Sequence, residues 1–224
     1  MSAVPSASTG TQAQGALYDY EVIVVGAGVS GIYQIKRLLE CGINATVLDG
    51  NSDVGGTWYN NRYPGARFDS ESYTYGYSFS KELLDEWHWS ERFSPQPETL
   101  RYLNYVVDKF DLREHMQFNC KVEAMIFDEE TDTWRLTLSD GRTLSCRFVI
   151  TALGPLSTPT LPNFEGMDDF QGISFHPHHW PHDLTDLSGK RVGIIGTGAT
   201  AIQIIPVVAE QASELTVFQR RANW

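Results

Sequence analysis

The chain has 224 residues, 42% of them apolar and 20% charged, with a net charge of −11. That is the composition of a soluble globular protein with apolar mass for one large or two small cores. The acidic balance argues against nucleic acid and anionic membrane surfaces as partners, because both select clustered Lys and Arg.

Cys41, Cys120 and Cys146 are odd in number and far apart, with no Cys-x-x-Cys. Three free thiols in a reducing compartment are expected, and neither a paired redox cysteine nor a metal-ligand spacing is present. Residues 1–16 are Ser, Ala, Thr, Gln and Gly with one Pro, without the basic start or apolar stretch of a signal peptide. A disordered tail is expected there. No run reaches membrane-spanning length, so a cytoplasmic protein is expected.

The first periodic segment, Glu21-Val22-Ile23-Val24-Val25, reads as a strand and runs straight into Gly26-Ala27-Gly28-Val29-Ser30-Gly31. Ile32, Ile35, Leu38 and Leu39 then recur at helical spacing, and Gly42 sits where that helix should end. Asn44–Leu48 predicts a second parallel strand closing on Asp49, eighteen residues beyond Gly31. A strand that feeds a glycine turn and then a helix offers free amides and a positive dipole end to a pyrophosphate. An acid at that spacing accepts hydrogen bonds from an adenosine ribose. The order strand, turn, helix, strand, acid therefore predicts a dinucleotide site, and Asp49 without a basic neighbour suits the AMP half of FAD.

Gly50–Ser80 has little periodicity, and an irregular segment of that length inside a compact domain is usually functional. Lys81–Glu91 is dense in charge and reads as a solvated helix face. Leu100, Leu103, Val107 and Phe110 mark a helix opening near Pro97-Glu98. Three β-like runs follow, Phe118–Phe127, Trp134–Leu138 and Thr143–Ile150, joined by turns at Thr131-Asp132 and Asp140-Gly141. They predict an antiparallel meander whose last strand returns to the parent sheet.

Pro155, Pro159 and Pro162 open a linker. A second α/β unit starts near Lys190: the strand Arg191–Ile195, the turn Gly196-Thr197-Gly198-Ala199-Thr200-Ala201, a helix lined by Ile202, Ile205, Val208 and Ala209, and the strand Leu215–Phe218. Arg220 and Arg221 stand at the end of that strand, where an NAD-binding fold carries an acid. Guanidinium groups there pair with the 2′-phosphate of NADP. The predicted fold is α/β with two dinucleotide-binding (Rossmann-like) units, the first carrying the inserted meander and the second incomplete at its C-terminal end. The expected boundaries are 17–154 for an FAD-binding domain, 155–189 for a linker and 190–224 for the start of an NADP-binding domain. One βαβ arm does not complete such a sheet.

Three strings carry a family resemblance: Phe170-Gln171-Gly172-Ile173-Ser174-Phe175-His176-Pro177-His178-His179-Trp180-Pro181, Gly55-Gly56-Thr57-Trp58-Tyr59, and Asn61-Arg62-Tyr63-Pro64-Gly65-Ala66-Arg67-Phe68-Asp69. The first fits the signature Phe-x-Gly-x-x-x-His-x-x-x-Trp-Pro throughout. From about Tyr20 to Trp224 the chain resembles the type I Baeyer–Villiger monooxygenases, a group of class B flavoprotein monooxygenases.

That resemblance implies that Gly26, Gly28 and Gly31 hold the FAD pyrophosphate and Asp49 the ribose, where most members carry Glu. It implies that Thr57, Trp58, Tyr59, Asn60, Asp69, Ser70 and Tyr75 lie along the flavin, with Val122 meeting the adenine through its backbone. Arg67, Phe68 and Asp69 match a stretch that also touches the nicotinamide. Thr197, Gly198, Ala199, Thr200, Ala201, Ile202 and Gln203 would cradle the NADP phosphates, with Arg220 and Arg221 on the 2′-phosphate.

The chemistry implied is reduction of FAD by NADPH, O2 addition giving a flavin C4a-peroxide, and oxygen insertion into a ketone to give an ester or lactone. Asp69 is the implied catalytic residue, orienting an arginine that stabilises the peroxide. His176 falls in a segment coupling the two nucleotide domains, so a conformational role fits it better than proton transfer.

Family chains are more than twice as long. The arginine and the rest of both domains are therefore expected outside these 224 residues, and the chain alone is expected to hold FAD weakly and not to oxygenate ketones. Two other readings stay open: a non-catalytic nucleotide-binding remnant, and a heteroatom-oxidising relative that the Trp180-Pro181 ending disfavours.

Overall fold

The computed structural model describes residues 18–181 and 186–222. The tail expected over 1–16 lies outside the described residues. Strand β1 (Tyr20–Val25) is followed by helix α1 (Val29–Glu40) and strand β2 (Ala45–Leu48). Side chains of β1 alternate between two cores: Val22 and Val24 enter one, Ile23 and Val25 the other. A strand covered on both faces is the parallel-sheet pattern, and it explains why Val22–Val25 are all apolar and buried.

The main sheet holds six strands. Beyond β1 and β2 these are β3 (Met116–Gln117), β4 (Val122–Asp128), β5 (Thr133–Leu138) and β6 (Thr143–Thr151). Their order is β3-β2-β1-β6-β5-β4. The first four strands in that order are parallel and the last two pair antiparallel. Strand β6 joins the two kinds of pairing: Cys146 faces Tyr20 on one side and Trp134 on the other.

Four helices connect β2 to β3: α2 (Thr57–Asn60), α3 (Ser72–Tyr75), α4 (Lys81–Glu86) and α5 (Gln96–Lys109). Ile32 and Ile35 of α1 join Leu103, Val106 and Val107 of α5 in the core that receives Val22 and Val24. The other core gathers Ile23, Val25 and Leu48 with Leu136, Leu138 and Cys146.

Two sequence expectations need correction. The β-like run 118–127 is not one strand. Asn119 takes a left-handed φ of 55°, and its N–H donates to the Asn51 carbonyl (2.7 Å). The chain therefore leaves β3, folds over the end of β2 and only then starts β4. The charged segment 81–91 is not helical throughout. Helix α4 stops at Glu86, and Trp87 and Trp89 stack on Tyr102 with ring centroids 5.1 and 4.8 Å away. Burial of two indoles outweighs continuation of a solvated helix.

Glu98, in the first turn of α5, is buried and accepts hydrogen bonds from the Ser90 N–H (2.9 Å) and hydroxyl (2.6 Å). Burial pushes its carboxyl up, but the bonds from Ser90 prevail and hold it below the ordinary carboxylate value. A depressed folded value means the stabilisation exists above the unfolded pKa and disappears as pH falls through the folded one. Glu98→Gln is expected to lose stability at neutral pH and to flatten its acid dependence. Urea midpoints at about pH 7 and about pH 4 measure both effects.

A second, two-stranded parallel sheet comprises β7 (Arg191–Ile195) and β8 (Glu214–Phe218), bridged by α6 (Ala199–Gln211). Ile204 and Val208 of α6 pack with Leu187, Val192, Ile194 and Leu215. On the strands, Ile195 and Phe218 remain exposed. Among the described residues no helix is long and apolar enough to cross a membrane.

Candidate functional site

The two glycine turns have the same construction. Gly26 takes φ +111° and its N–H donates to the Leu48 carbonyl (2.8 Å); Gly196 takes φ +110° and donates to the Phe218 carbonyl (2.9 Å). Gly28 and Gly198 are both extended N-caps, and each carbonyl accepts the N–H four residues on, from Ile32 and Ile202. In both units the first strand thus ends in a sharp glycine bend that leaves the helix N-terminal amides facing outward.

The third position distinguishes them. A Cβ on Gly31 would overlap the Gly26 carbonyl oxygen, and its distance to the Gly26 carbonyl carbon would be 2.9 Å. The matching residue in the second turn is Ala201, so that helix sits farther from its turn. A Cβ on Gly26 would lie 2.5 Å from the Ala152 oxygen just past β6, whereas a Cβ on Gly196 would meet nothing within 4 Å among the described residues.

Asp49 closes the first turn from below. Its carboxylate is buried, accepting the Ala27 N–H (2.6 Å) at one oxygen and the Asn51 N–H (2.8 Å) at the other. The Cys120 N–H donates to its carbonyl (2.8 Å), and Lys121 packs on Gly50. Asp49 and the start of β4 at Val122 are therefore neighbours, as one adenosine would require.

The 55–75 segment folds onto the same turn. The Gly55 N–H donates to the Ala27 carbonyl (3.0 Å), and a Cβ on Gly56 would lie 2.8 Å from the Cα of Gly28. Glycine at 56 lets the two loops meet, and at 55 it takes φ +134° under Leu100, whose Cδ1 a Cβ would approach to 2.6 Å. Trp58 is buried and donates from Nε1 to the Tyr75 hydroxyl (2.6 Å), Phe68 stacks on Tyr75 with centroids 4.3 Å apart, and Gln96 Nε2 holds the Trp58 carbonyl. Thr57, Tyr59 and Asn60 lie half-buried beside them, and Asp69 and Ser70 are exposed at the end of the segment. The structure thus brings Gly55 and Gly56 against the first turn and fixes Trp58, Phe68 and Tyr75 as one aromatic block. Sequence reasoning gave no role to Tyr77, whose hydroxyl donates to the Val29 carbonyl (2.6 Å) at the start of α1.

In the second unit the Thr197 hydroxyl donates to the Arg221 carbonyl (3.2 Å), so the exposed pair Arg220 and Arg221 stands beside the second turn. Ala199, Thr200, Ala201 and Ile202 form the first turn of α6. Gln203 behaves differently: its amide is taken up by the 63–67 loop, with Nε2 donating to the Arg67 carbonyl (2.9 Å).

The 170–181 string supports packing. The His176 Nδ1 accepts the His178 N–H (3.2 Å) and caps a short turn, and Trp180 lies edge-on to Phe175 (5.0 Å) while packing against the second unit. An open cleft of about 310 Å³ lies here, lined by Tyr59, Asn60, Arg62, His178, His179 and Trp180. Burial, with His179 and His176 nearby, keeps the His178 imidazole below its ordinary pKa. Among the described residues no group of His, Cys, Asp and Glu is placed to hold a metal ion.

The family model described as flavin-binding monooxygenase-like matches residues 19–224. The chain belongs to that family. A Baeyer–Villiger monooxygenase of Pseudooceanicola batsensis is 47% identical over 207 residues, covering 92% of this chain and 38% of the relative. A phenazine N-monooxygenase of Lysobacter antibioticus is 45% identical over 206 residues, with the same coverage of 92% and 38%. The crystal structure of OTEMO in complex with FAD and NADP superposes with a TM-score of 0.88 at 48% identity, covering 92% of this chain and 40% of that one. The likeness to Baeyer–Villiger monooxygenases read from the motifs is borne out. This family member spans 38% of the length of the curated relatives it matches.

Proposed function

We propose that this chain supplies the FAD cradle and the opening βαβ arm of the NADPH cradle of a monooxygenase that converts a ketone to an ester or lactone. The observation that carries the reading is the repeated turn, built twice with the same bend, the same hydrogen bond to the second strand and the same N-cap. The first turn fits a bound pyrophosphate, because the Gly28 N-cap offers no side chain to the first amides of α1 and leaves them to a ligand.

Gly26, Gly28 and Gly31 would hold the FAD diphosphate, Asp49 the ribose and Val122 the adenine edge. Trp58, Phe68 and Tyr75 form a rigid apolar wall that keeps water from the ring, flanked by Thr57, Tyr59, Asn60, Arg67 and Ser70. When bound, FAD accepts a hydride from NADPH and activates O2 for insertion beside the carbonyl. Exposed Asp69 would fix a cation by hydrogen bonding, and Thr197 to Ile202 with Arg220 and Arg221 would hold NADPH at its phosphates.

Anaerobic flavin reduction tests this. The chain, saturated with FAD, is expected to be reduced by NADPH in preference to NADH, and Arg220→Ala/Arg221→Ala to erase about tenfold of that preference. Equal rates with both nicotinamides would sink the assignment.

Heteroatom oxidation is the second reading, because a relative named for N-oxidation is nearly as similar as one named for Baeyer–Villiger chemistry. Offering a ketone and a thioether together to a chain extended to the length of its relatives, and analysing the products, separates the two.

A further inference from the structure

The loop between α2 and α3 is held from two sides. On the first, Arg67 forms a bridge with Pro95: the Gln96 N–H donates to the Ala66 carbonyl (2.7 Å) and the Phe68 N–H to the Ser94 carbonyl (3.3 Å). On the second stands Gln203 of α6. Its Nε2 donates to the Arg67 carbonyl (2.9 Å), while its Oε1 accepts the Arg67 N–H (3.3 Å) and the Tyr63 hydroxyl (2.9 Å). One side-chain amide thus reads the backbone of one residue at both its donor and its acceptor, as a neighbouring strand would.

Shape reinforces the contact. Gly65 has φ +79°, and a Cβ there would run into the Gln203 carbonyl and approach Val207 to 3.2 Å. Tyr63 packs with Ile204 and Val208, and Thr200 lies beside its phenol.

We propose that Gln203 is a positioning residue: an amide latch that seats α6, and with it the second glycine turn, on the 63–67 loop of the first unit, rather than a ligand of the NADP phosphates. The functional part rests on the two-cofactor reading given above. Because the loop is already fixed at Pro95, the latch locates the second unit against a rigid surface. It sets the separation of the two turns and the face that Arg67, Phe68 and Asp69 turn toward a nicotinamide. A hydride crosses only at near-contact distance, so this register governs reduction more than affinity.

The test has two arms on the same chain. In the first, amide hydrogen exchange is measured without cofactors. Gln203→Met keeps the bulk and removes every bond; the Arg67 amide is expected to exchange at least about tenfold faster, with Phe68 and β1 unchanged. Gln203→Glu keeps an acceptor for Arg67 and Tyr63 and is expected to restore that protection in part.

In the second arm, with FAD saturating, Gln203→Met is expected to shift the NADP+ dissociation constant by less than about threefold and to slow anaerobic reduction by NADPH about tenfold or more. Unchanged Arg67 exchange in Gln203→Met overturns the latch. A tenfold loss of NADP+ affinity with no change in reduction at saturation overturns it too, and returns Gln203 to the phosphates. A chain that binds no NADP+ removes the two-cofactor reading, and Arg67 exchange still decides the latch.

Discussion

Gly31→Ala is expected to destabilise the chain by about 3 kcal/mol or more, because no nearby side chain can move aside. The added methyl would overlap the Gly26 carbonyl oxygen, which is backbone held in a φ of +111° by its neighbours, and it would also face Val24 Cγ1 at 3.7 Å. Helix α1 must then retreat from β1, which separates Ile32 and Ile35 from Val22 and Val24. Urea unfolding gives the loss directly. Gly141→Ala serves as the control: its φ of +85° carries strain, but nothing lies within 4 Å of the new methyl. That control is expected to lose only about 1 kcal/mol. Under the proposed function, Gly31→Ala also weakens FAD binding in equilibrium dialysis by about tenfold or more. A variant as stable as the control would mean that the helix approaches the turn less closely than the structure shows.

The contrast between Gly31 and Ala201 shows how far the sequence could be read. Both βαβ units were legible because their signals are local: an apolar run, glycines at fixed spacing, a periodic helix and a second strand. The acid at 49 and the basic pair at 220 and 221 follow from the same register. Local pattern failed where a distant partner decided the backbone. Nothing near Asn119 announces that the Asn51 carbonyl will take its N–H and break the run 118–127. Trp87 and Trp89 read as packing residues, but the charges around them do not show that Tyr102 and Tyr105 end the helix at Glu86.

Gln203 makes the same point for the site. The family resemblance implied a phosphate contact for it, but its hydrogen-bond partner Arg67 lies 136 residues away in sequence. The same holds for the glycines of the first site. Gly55 and Gly56 stand in a recognisable string, but the reasons they are glycine, a φ of +134° beneath Leu100 at 55 and the approach of Gly28 at 56, exist only in the folded chain. Local sequence pattern therefore located the two glycine turns, while the spatial link between the two units had to come from tertiary structure.

Asp49→Ala is the second large effect, and it separates two roles that one carboxylate combines. With the side chain removed, the Ala27 and Asn51 amides lose their acceptors, and Ala27 has no exposed surface through which water could replace one. An unsatisfied buried donor costs roughly 1–3 kcal/mol, so a loss of about 3 kcal/mol is expected for the pair. Asp49→Asn retains one oxygen of the same reach, but must turn an NH2 toward the other amide and gives up a charge-assisted bond. It should fall about midway, near 1.5 kcal/mol, by the same accounting. Urea midpoints rank the three proteins, and equilibrium dialysis against FAD asks whether affinity falls in step. If stability drops while FAD affinity in Asp49→Asn stays at the parent value, the carboxylate braces the glycine turn and does not hold the ribose. If Asp49→Ala unfolds within a few tenths of a kcal/mol of the parent, the Ala27 and Asn51 amides have found other partners and the turn does not depend on Asp49.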